Sequence, residues 1–395
     1  YLTWKIKEPL PRHGLDALAE RRFGIKPSKL LAEKGCAGRE RTVLHDTSTG
    51  TEMWLMTRDR GNEIHTYHNM WWTFSANGKW IEFMGDRYES EDTKHRRWAA
   101  RTDGGGIVPL GTHRSQSHHW SALDGDLYYC DYAGDPGLLH EINVETGQRR
   151  VITELGRWQW GSYGKLIRPG KWSDRLVVLR SDNKTGWTVK LDGTDRKDVA
   201  FELPDGTDLI EPLFSRAHPN TILTAHHGIY RLEADGSISL VCTGEEERKA
   251  RGFQNAHPSH HGHTDPTELY RINASGQVTH PDGHTEKVYD PSPLRHLGGF
   301  FGNNGYATFG PSADWFIVEQ GLHFVKVWRD GRSYAFLGFH FATSLDYYSM
   351  GWGQPSPDGT KIVSSTSMFD NTDMMLMIAH RPLPPVNLRA VGREL

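Results

Sequence analysis

Thr73-Phe-Ser-Ala-Asn-Gly-Lys-Trp-Ile81 is a strand–turn–strand phrase, and it returns much later in the sequence as Gln354-Pro-Ser-Pro-Asp-Gly-Thr-Lys-Ile362. The Asn-Gly and Asp-Gly pairs at its centre favour a tight turn, because glycine adopts a positive φ without steric cost. Weaker copies recur roughly every 40 to 50 residues, which is the length of one propeller blade. They begin at Trp120, Arg168, Ser215 and Gly310.

A second hairpin with glycine in its turn follows most copies, as in His140-Glu-Ile-Asn-Val-Glu-Thr-Gly-Gln148 and Tyr230-Arg-Leu-Glu-Ala-Asp-Gly-Ser237. Two hairpins per repeat make a four-stranded antiparallel sheet. The sequence therefore predicts an all-β fold, a seven-bladed β-propeller. The predicted blades cover residues 65–111, 115–155, 160–203, 208–244, 250–291, 296–340 and 346–380.

An unpaired hairpin in residues 41–57 precedes the first blade, and the last blade lacks an outer strand after Ala379. Pairing the two closes the ring through an N-terminal strand and removes exposed sheet edges. We therefore expect three parts in the chain. They are a capping segment at 1–40, the propeller at 41–380 and a Pro-rich linker at 381–395.

Charge and composition exclude several function classes. The chain has 395 residues with 46 basic and 49 acidic side chains, so no single-sign field favours nucleic acid as a partner. No apolar run has the length of a membrane span, and no signal peptide is visible. Three cysteines in distant positions, Cys36, Cys130 and Cys242, do not form a disulfide framework. We expect a monomer without an organic cofactor.

Polar and aromatic side chains stand just before the inner turn phrases. The inner strands of a propeller line its central channel, so we expect these side chains to share one funnel. A converging set of imidazole, phenol and guanidinium groups can perform acid–base work on an anion. The candidate catalytic residues are His68, His118, His119, Tyr163 and Arg180, and the candidate substrate-binding residues are Arg216, Asn303, Trp352 and Gln354.

The third blade suggests a cross-strand pair. Its first hairpin turns between Pro169 and Asp174, and antiparallel pairing around that turn places Tyr163 opposite Arg180. The same reasoning places His68 near Asp86 and His118 near Asp131. A single histidine at a strand start, or a Tyr–Arg pair, is also common as a purely structural feature, so the prediction rests on several such residues coming together.

Histidines concentrate in Gln254-Asn-Ala-His-Pro-Ser-His-His-Gly-His-Thr-Asp265, within the irregular fifth blade. Cysteine and histidine suit a closed tetrahedral zinc site, and a structural zinc could stabilise this blade. The alternative is a solvated His-rich loop. The candidate zinc ligands are His227, Cys242, His261 and His263.

The sequence resembles the seven-bladed propeller polysaccharide lyases, namely the ulvan lyases and, more distantly, the oligogalacturonate lyases. The phrases Asp46-Thr-Ser-Thr-Gly50, His68-Asn-Met-Trp-Trp-Thr-Phe-Ser-Ala-Asn-Gly78 and Gln354-Pro-Ser-Pro-Asp-Gly359 carry this resemblance over most of residues 40–380. Similar phrases also occur in non-catalytic propellers of the periplasmic TolB type.

The resemblance implies β-elimination from a uronic-acid polysaccharide, ulvan-like and including sulfated forms, by a secreted or periplasmic enzyme. It implies a histidine base, either His68 or His118, and an acid that is Tyr163 or a second histidine. Arg180 would neutralise the uronate carboxylate. The resemblance also implies a structural rather than catalytic zinc.

Two features bear on the alternatives. The oligogalacturonate lyases place a glutamine and two histidines at the last inner strand for manganese, whereas here Pro355 and Ser356 follow Gln354, which argues against a manganese mechanism. Hydrolysis of a glycoside normally uses two carboxylates, and no such pair stands out at the inner positions. A glycoside hydrolase and a TolB-like binding propeller remain the alternatives to a lyase.

Overall fold

A computed structural model gives the structure of the chain over much of residues 42–378. The predicted capping segment at 1–40 and the linker at 381–395 lie outside the described residues. The described ranges are 42–46, 51–57, 63–65, 73–90, 93–111, 118–121, 124–132, 135–155, 165–167, 174–180, 182–209, 212–214, 220–224, 228–243, 277–279, 285–287, 307–309, 315–320, 323–328, 334–340, 353–369 and 371–378.

The regular elements in these ranges are all β-strands, as the sequence predicts for an all-β fold. None of the described residues belongs to a helix with the length and apolar character needed to span a bilayer. In chain order the strands are β1 (Thr42–His45), β2 (Glu52–Leu55), β3 (Glu63–His65), β4 (Trp80–Ser90), β5 (Thr93–Arg101), β6 (Ile107–Gly111), β7 (His118–Trp120), β8 (Leu127–Tyr132), β9 (Asp135–Asn143), β10 (Arg149–Glu154), β11 (Lys165–Ile167), β12 (Arg175–Leu179), β13 (Thr185–Lys190), β14 (Lys197–Ala200), β15 (Leu213–Phe214), β16 (Thr221–Leu223), β17 (Gly228–Leu232), β18 (Ile238–Thr243), β19 (Gln277–Thr279), β20 (Thr285–Lys287), β21 (Ala307–Phe309), β22 (Trp315–Gln320), β23 (His323–Trp328), β24 (Tyr334–Phe339), β25 (Gln354–Pro355), β26 (Lys361–Phe369) and β27 (Asn371–Ile378).

These strands form antiparallel sheets whose members follow one another in the sequence. Over the described ranges, five sheets have four strands each. The sheet that follows the His-rich stretch in the sequence has two strands, and the last sheet has five. We number them along the chain: sheet 1 contains β3–β6, sheet 2 β7–β10, sheet 3 β11–β14, sheet 4 β15–β18, sheet 5 β19–β20, sheet 6 β21–β24, and sheet 7 β25–β27 with β2 and β1 added beyond β27.

The two strongest copies of the repeated phrase form the same turn. Gly78 and Gly359 have φ angles of 70° and 69°, which is the left-handed region that glycine enters at least cost. In both turns the preceding Asn77 or Asp358 accepts a hydrogen bond from the backbone N–H two residues later, at 3.0 Å. The phrase therefore predicts the turn because it supplies both the glycine and the side-chain acceptor.

Neighbouring sheets pack face to face through buried apolar side chains. Phe83 and Trp98 of sheet 1 belong to one buried cluster with Val363 and Leu376 of sheet 7. Further clusters join sheets 1 and 2, sheets 2 and 3, and sheets 3 and 4. Each large side chain buried in this way contributes about 1.5–3 kcal/mol to folding. The sequential stacking of small antiparallel sheets is the arrangement found in propellers.

The hairpin that precedes sheet 1 pairs with the last sheet. In β2 and β27, Glu52 lies opposite Ile378 and Leu55 lies opposite Met375. Beyond the strand, the hydroxyl of Thr57 accepts a hydrogen bond of 2.9 Å from the backbone N–H of Met374. This is the strand pairing that the sequence predicts for residues 41–57, while the number of blades and the closure of the ring stay predictions.

The register within the inner hairpins of sheets 2 and 3 differs from the predicted one by one residue. In sheet 1, Gly85 lies opposite Glu63, so this register does not place Asp86 opposite His68. Ile167 lies opposite Val177, whereas the predicted pairing of Tyr163 with Arg180 needs Ile167 opposite Leu176. His118 lies opposite Cys130 and not Asp131. The length of the turn sets the register of a hairpin, and a slip of one residue moves a side chain to the other face. The sequence shows where these turns are but not which residues form their last hydrogen bond.

Candidate functional site

A buried group of charged and polar side chains lies between sheets 1 and 2. We call Glu82, Arg97, His118 and Tyr128 the Glu82 cluster. The first three are 1%, 2% and 3% exposed, and Tyr128 is fully buried. Arg97 donates a hydrogen bond from Nη1 to Oε1 of Glu82, and Nε2 of His118 lies 3.1 Å from the same oxygen.

The strands bring these residues together from separate parts of the sequence. Glu82 on β4 lies opposite Ala99 on β5, so Arg97, two residues before Ala99, projects from the same face of sheet 1. His118 begins β7 and Tyr128 lies on β8, opposite Trp120. The charges of Glu82 and Arg97 compensate each other, which a buried ion requires.

Tyr128 stays protonated in this environment. Burial, together with the neighbouring Glu82 carboxylate, raises the pKa of Tyr128 well above its usual 10.0. Its ring packs edge-on against Trp120, with 5.0 Å between the ring centres. The phenol is therefore a fixed, neutral O–H group beside the carboxylate.

His118 lies in a row of side chains on one face of sheet 2. It stands opposite Cys130 on β8, and Cys130 stands opposite His140 on β9. All three are buried, and the Cys130 thiol donates a 3.1 Å hydrogen bond to the Leu110 carbonyl of sheet 1. The row therefore belongs to the contact between the two sheets.

His119 is the second candidate catalytic residue in the described part of the chain. It is also buried, and its ring stacks beside that of His118 with 5.6 Å between the ring centres. The structure thus brings two of the sequence-predicted imidazoles together, next to a carboxylate that sequence reasoning did not predict.

Gln354, a candidate substrate-binding residue, joins sheet 7 to sheet 1. Its side chain is buried, and its amide oxygen accepts a 3.2 Å hydrogen bond from the backbone N–H of Thr73. The carbonyl of Thr73 in turn accepts a 3.1 Å hydrogen bond from the indole of Trp120 in sheet 2. Gln354 therefore takes part in linking three consecutive sheets.

Arg180, the candidate for neutralising a carboxylate, lies just after β12 and contacts the outer strands of sheet 3. Nη2 donates a 2.8 Å hydrogen bond to Asp198 on β14, and the guanidinium lies 5.6 Å from the ring centre of Trp187. Its side chain is 41% exposed. These contacts belong to sheet 3, whereas the contacts of His118 with Glu82 and Tyr128 belong to sheets 1 and 2.

A second buried charge lies in sheet 6. Lys326 on β23 is 5% exposed, and its Nζ lies 4.0 Å from the ring centre of Trp315 and 4.8 Å from that of Trp328. Burial lowers the pKa of Lys326 to about 8. The two indole faces replace part of the hydration that the ammonium loses.

The other candidate residues lie outside the residues whose side chains the structure describes. For the candidate zinc ligand Cys242, the backbone lies in β18, opposite Ile229. Within the described ranges, no group of three or more His, Cys, Asp or Glu residues could hold a metal ion. The residues without a described side chain are His68, Tyr163, Arg216, His227, Cys242, His261, His263, Asn303 and Trp352.

Sequence reasoning missed Glu82 and Arg97, although the sequence carries a signal for each. Glu82 interrupts the apolar run Trp80-Ile-Glu-Phe-Met84, and Arg97 directly precedes the apolar segment Trp98-Ala-Ala100, at the end of the polar stretch Thr93-Lys-His-Arg96. A charged residue on the buried face of a strand needs a partner, and two strands of one hairpin can provide it.

No protein-family model matches the chain, and no curated protein matches it. Two solved structures share its fold. An oligogalacturonate lyase from Vibrio parahaemolyticus has a TM-score of 0.59 and 13% identity, with 86% of this chain and 97% of that chain covered. An oligogalacturonate lyase in complex with manganese has a TM-score of 0.60 and 13% identity, with 86% and 96% covered. The chain therefore has the propeller type of fold found in these lyases.

Proposed function

We propose that this protein is a polysaccharide lyase that cleaves a uronic-acid polysaccharide by β-elimination. Two observations support the proposal. The fold is shared with oligogalacturonate lyase over almost the whole length of that enzyme. The Glu82 cluster places an imidazole next to a buried carboxylate, which is an arrangement that holds a proton-transfer group in one orientation. The shared fold carries the proposal.

The proposed reaction needs three kinds of group. A neutral imidazole, from His68 or His118, takes the weakly acidic proton from C5 of the uronate. The C4–O bond then breaks, a C4–C5 double bond forms, and the leaving oxygen receives a proton from Tyr163 or a second histidine. Arg180, as a guanidinium, matches the uronate carboxylate on which negative charge develops. We propose an ulvan-like polymer, sulfated forms included, as the substrate, and a site of action outside the cell or in the periplasm.

The described residues do not fit a manganese site. Gln354 uses its amide oxygen for the backbone of Thr73, and Pro355 and Ser356 follow it in place of metal ligands. We propose no step that runs through manganese. A structural zinc on His227, Cys242, His261 and His263 remains part of the proposal. Metal analysis of the purified protein should find about one zinc per chain, and mild chelation should leave lyase activity in place.

Ultraviolet absorbance tests the proposed reaction directly. β-Elimination leaves an unsaturated, absorbing uronate at the new chain end, whereas hydrolysis does not. We expect absorbance to rise when the protein is incubated with at least one member of a panel of uronate polysaccharides, ulvan among them. Cleavage of a polymer without a rise in absorbance would overturn the lyase assignment and favour a glycoside hydrolase.

A non-catalytic binding propeller is the second candidate, and the burial of His118 and His119 favours it, because both imidazoles are nearly inaccessible to a polymer. This candidate predicts saturable binding of a uronate polysaccharide, measured by calorimetry, with no unsaturated product after prolonged incubation. The lyase proposal predicts product under the same conditions.

A further inference from the structure

Glu82 lies at the centre of a buried network that crosses from sheet 1 to sheet 2. One carboxylate oxygen accepts a hydrogen bond from Arg97 and lies 3.1 Å from Nε2 of His118. Arg97 holds the carboxylate from its own sheet, while His118 approaches it from the next sheet. Because Glu82 and Arg97 lie on adjacent strands of one hairpin, their pairing holds the carboxylate through contacts within sheet 1 alone.

The position of this carboxylate decides which nitrogen of His118 can act as a base. A neutral imidazole has one N–H donor and one acceptor nitrogen, and the partner of one nitrogen sets the state of the other. The 3.1 Å between Nε2 and Oε1 of Glu82 brings the two groups into contact without the alignment of a full hydrogen bond. Catalytic contacts are often poorly aligned before the substrate binds. A proton on Nε2 directed at Glu82 leaves Nδ1 as the acceptor.

The burial of the network makes this control effective. In a region with little water, no solvent molecule competes with the carboxylate for the imidazole, and the interaction between the two groups is stronger than at a surface. The ring of Tyr128 lies beside the imidazole, with 6.4 Å between the ring centres, and Trp120 packs against Tyr128 from another side. The ring of His118 therefore has one preferred orientation relative to Glu82.

We propose that Glu82, held by Arg97, is a positioning residue that fixes the ring and the tautomer of His118 for proton transfer. The claim that His118 transfers a proton during catalysis rests on the proposed function. The structural part of the inference, the control of the His118 tautomer, stands on the contacts alone.

The test uses a charge-balanced variant, because a single Glu82→Gln change leaves the Arg97 charge buried without its partner and can prevent folding. The double variant Glu82→Gln/Arg97→Met removes both charges and keeps the approximate volume. The matched control is Glu141→Gln/Arg150→Met, which removes a cross-strand pair of the same type on β9 and β10, joined at 2.6 Å and more exposed. All variants are compared in the 395-residue chain.

The first measurement does not depend on activity. Nitrogen chemical shifts of ¹⁵N-histidine-labelled protein report the tautomer, with the His118 signals assigned from a His118→Gln variant. We expect the neutral form of His118 to carry its proton on Nε2 in the wild type and in the control. In the Glu82→Gln/Arg97→Met variant we expect a mixture of both tautomers. An unchanged single tautomer in that variant would overturn the proposal.

The second measurement is steady-state cleavage of the uronate polymer that gives the largest absorbance change. We expect kcat to fall on the order of 100-fold in the Glu82→Gln/Arg97→Met variant, with KM nearly unchanged, and no change in the control. An unchanged kcat, or a change in KM alone, would contradict the catalytic part. If the wild type cleaves no uronate polymer, the proposed function fails while the tautomer measurement still decides the role of Glu82.

Discussion

At the scale of single residues, the buried charges explain why sheet 1 and sheet 2 pack against each other in one register. Glu82 and Arg97 satisfy each other within sheet 1, and the same carboxylate then contacts His118 of sheet 2. A shift of either strand by one residue would turn a charge toward apolar neighbours without its partner. The cluster therefore contributes specificity to the packing in addition to any chemistry.

His118 and His119 could be predicted from the sequence as candidate site residues, because two histidines at the start of an inner strand are conspicuous. Glu82 and Arg97 could not be combined with them, since that contact depends on how sheet 1 faces sheet 2. The predicted pair of Tyr163 and Arg180 depended on a register that sheet 3 does not have. Arg180 instead contacts Asp198 in its own sheet.

The burial of Lys326 should make the free energy of unfolding rise with pH. Burial lowers its pKa in the folded state to about 8, from 10.5 for a free lysine, so the unfolded chain binds more protons between these values. The free energy of unfolding should therefore rise as pH increases from about 8 to about 10, and Lys326 should add no pH dependence below about pH 8. The gain is about 1–3 kcal/mol, because the indole rings offset part of the cost of burying the charge.

Urea unfolding at several pH values measures this dependence. The Lys326→Met variant should lack the rise between pH 8 and 10. The control Lys184→Met removes an exposed lysine and should follow the wild type. The same rise in both variants would show that Lys326 is not its source.

At the scale of elements, the repeated phrase predicts turns better than it predicts strand pairing. Its Asn-Gly or Asp-Gly centre specifies a local conformation, and Gly78 and Gly359 adopt it. The pairing of the following strands depends on which residues close the turn. In sheet 2 the backbone N–H of Ser121 bonds to the carbonyl of Leu127, which leaves five residues between them. Because this turn is one residue shorter than the predicted pairing requires, His118 lies opposite Cys130 and not opposite Asp131.

A substitution in the turn separates backbone strain from packing. Gly78 has a φ of 70°, and an added Cβ would lie 3.6 Å from Pro357, which is an ordinary contact. Gly78→Ala should therefore lower stability by about 1 kcal/mol through strain alone. At Gly106, which lies outside this backbone region, an added Cβ meets nothing within 4 Å. Gly106→Ala should be neutral or stabilising by a few tenths of a kcal/mol.

Denaturant unfolding measures the free energy of unfolding of both variants and so tests whether the positive φ at Gly78 is the cause of the loss. A loss of stability in Gly78→Ala together with no loss in Gly106→Ala supports the account of the turn. Equal effects would mean that the positive φ has no special cost here.

At the scale of the whole molecule, the order of sheet packing could be predicted because the repeat was visible, and it matches a fold shared with known propeller lyases. The pairing of residues 41–57 with the last sheet could also be predicted, since both parts were left without partners. The function could be predicted only as a resemblance. The Glu82 cluster combines residues of two sheets, and no local pattern specifies how one sheet faces the other.

A disulfide across β2 and β27 tests the link between the two ends of the described chain. Glu52 lies directly opposite Ile378, so Glu52→Cys/Ile378→Cys should form a disulfide on mild oxidation, as opposed residues lie within its reach. The closed loop is long, so stability should rise by up to ~4 kcal/mol. In the control Glu52→Cys/Met377→Cys the two side chains point to opposite faces, and no bridge should form. Peptide mapping under non-reducing conditions distinguishes the two outcomes.

The pairing of β2 with β27 also has a consequence for how the protein is made. The ribosome releases residues 52–55 long before it releases residues 371–378, which are their partners. During translation, which adds about 5–20 residues per second, the early segment must wait for tens of seconds with an open edge. The final sheet thus assembles only after residues 371–378 have emerged, and a chain truncated shortly before residue 371 would lack the strand that pairs with residues 52–55.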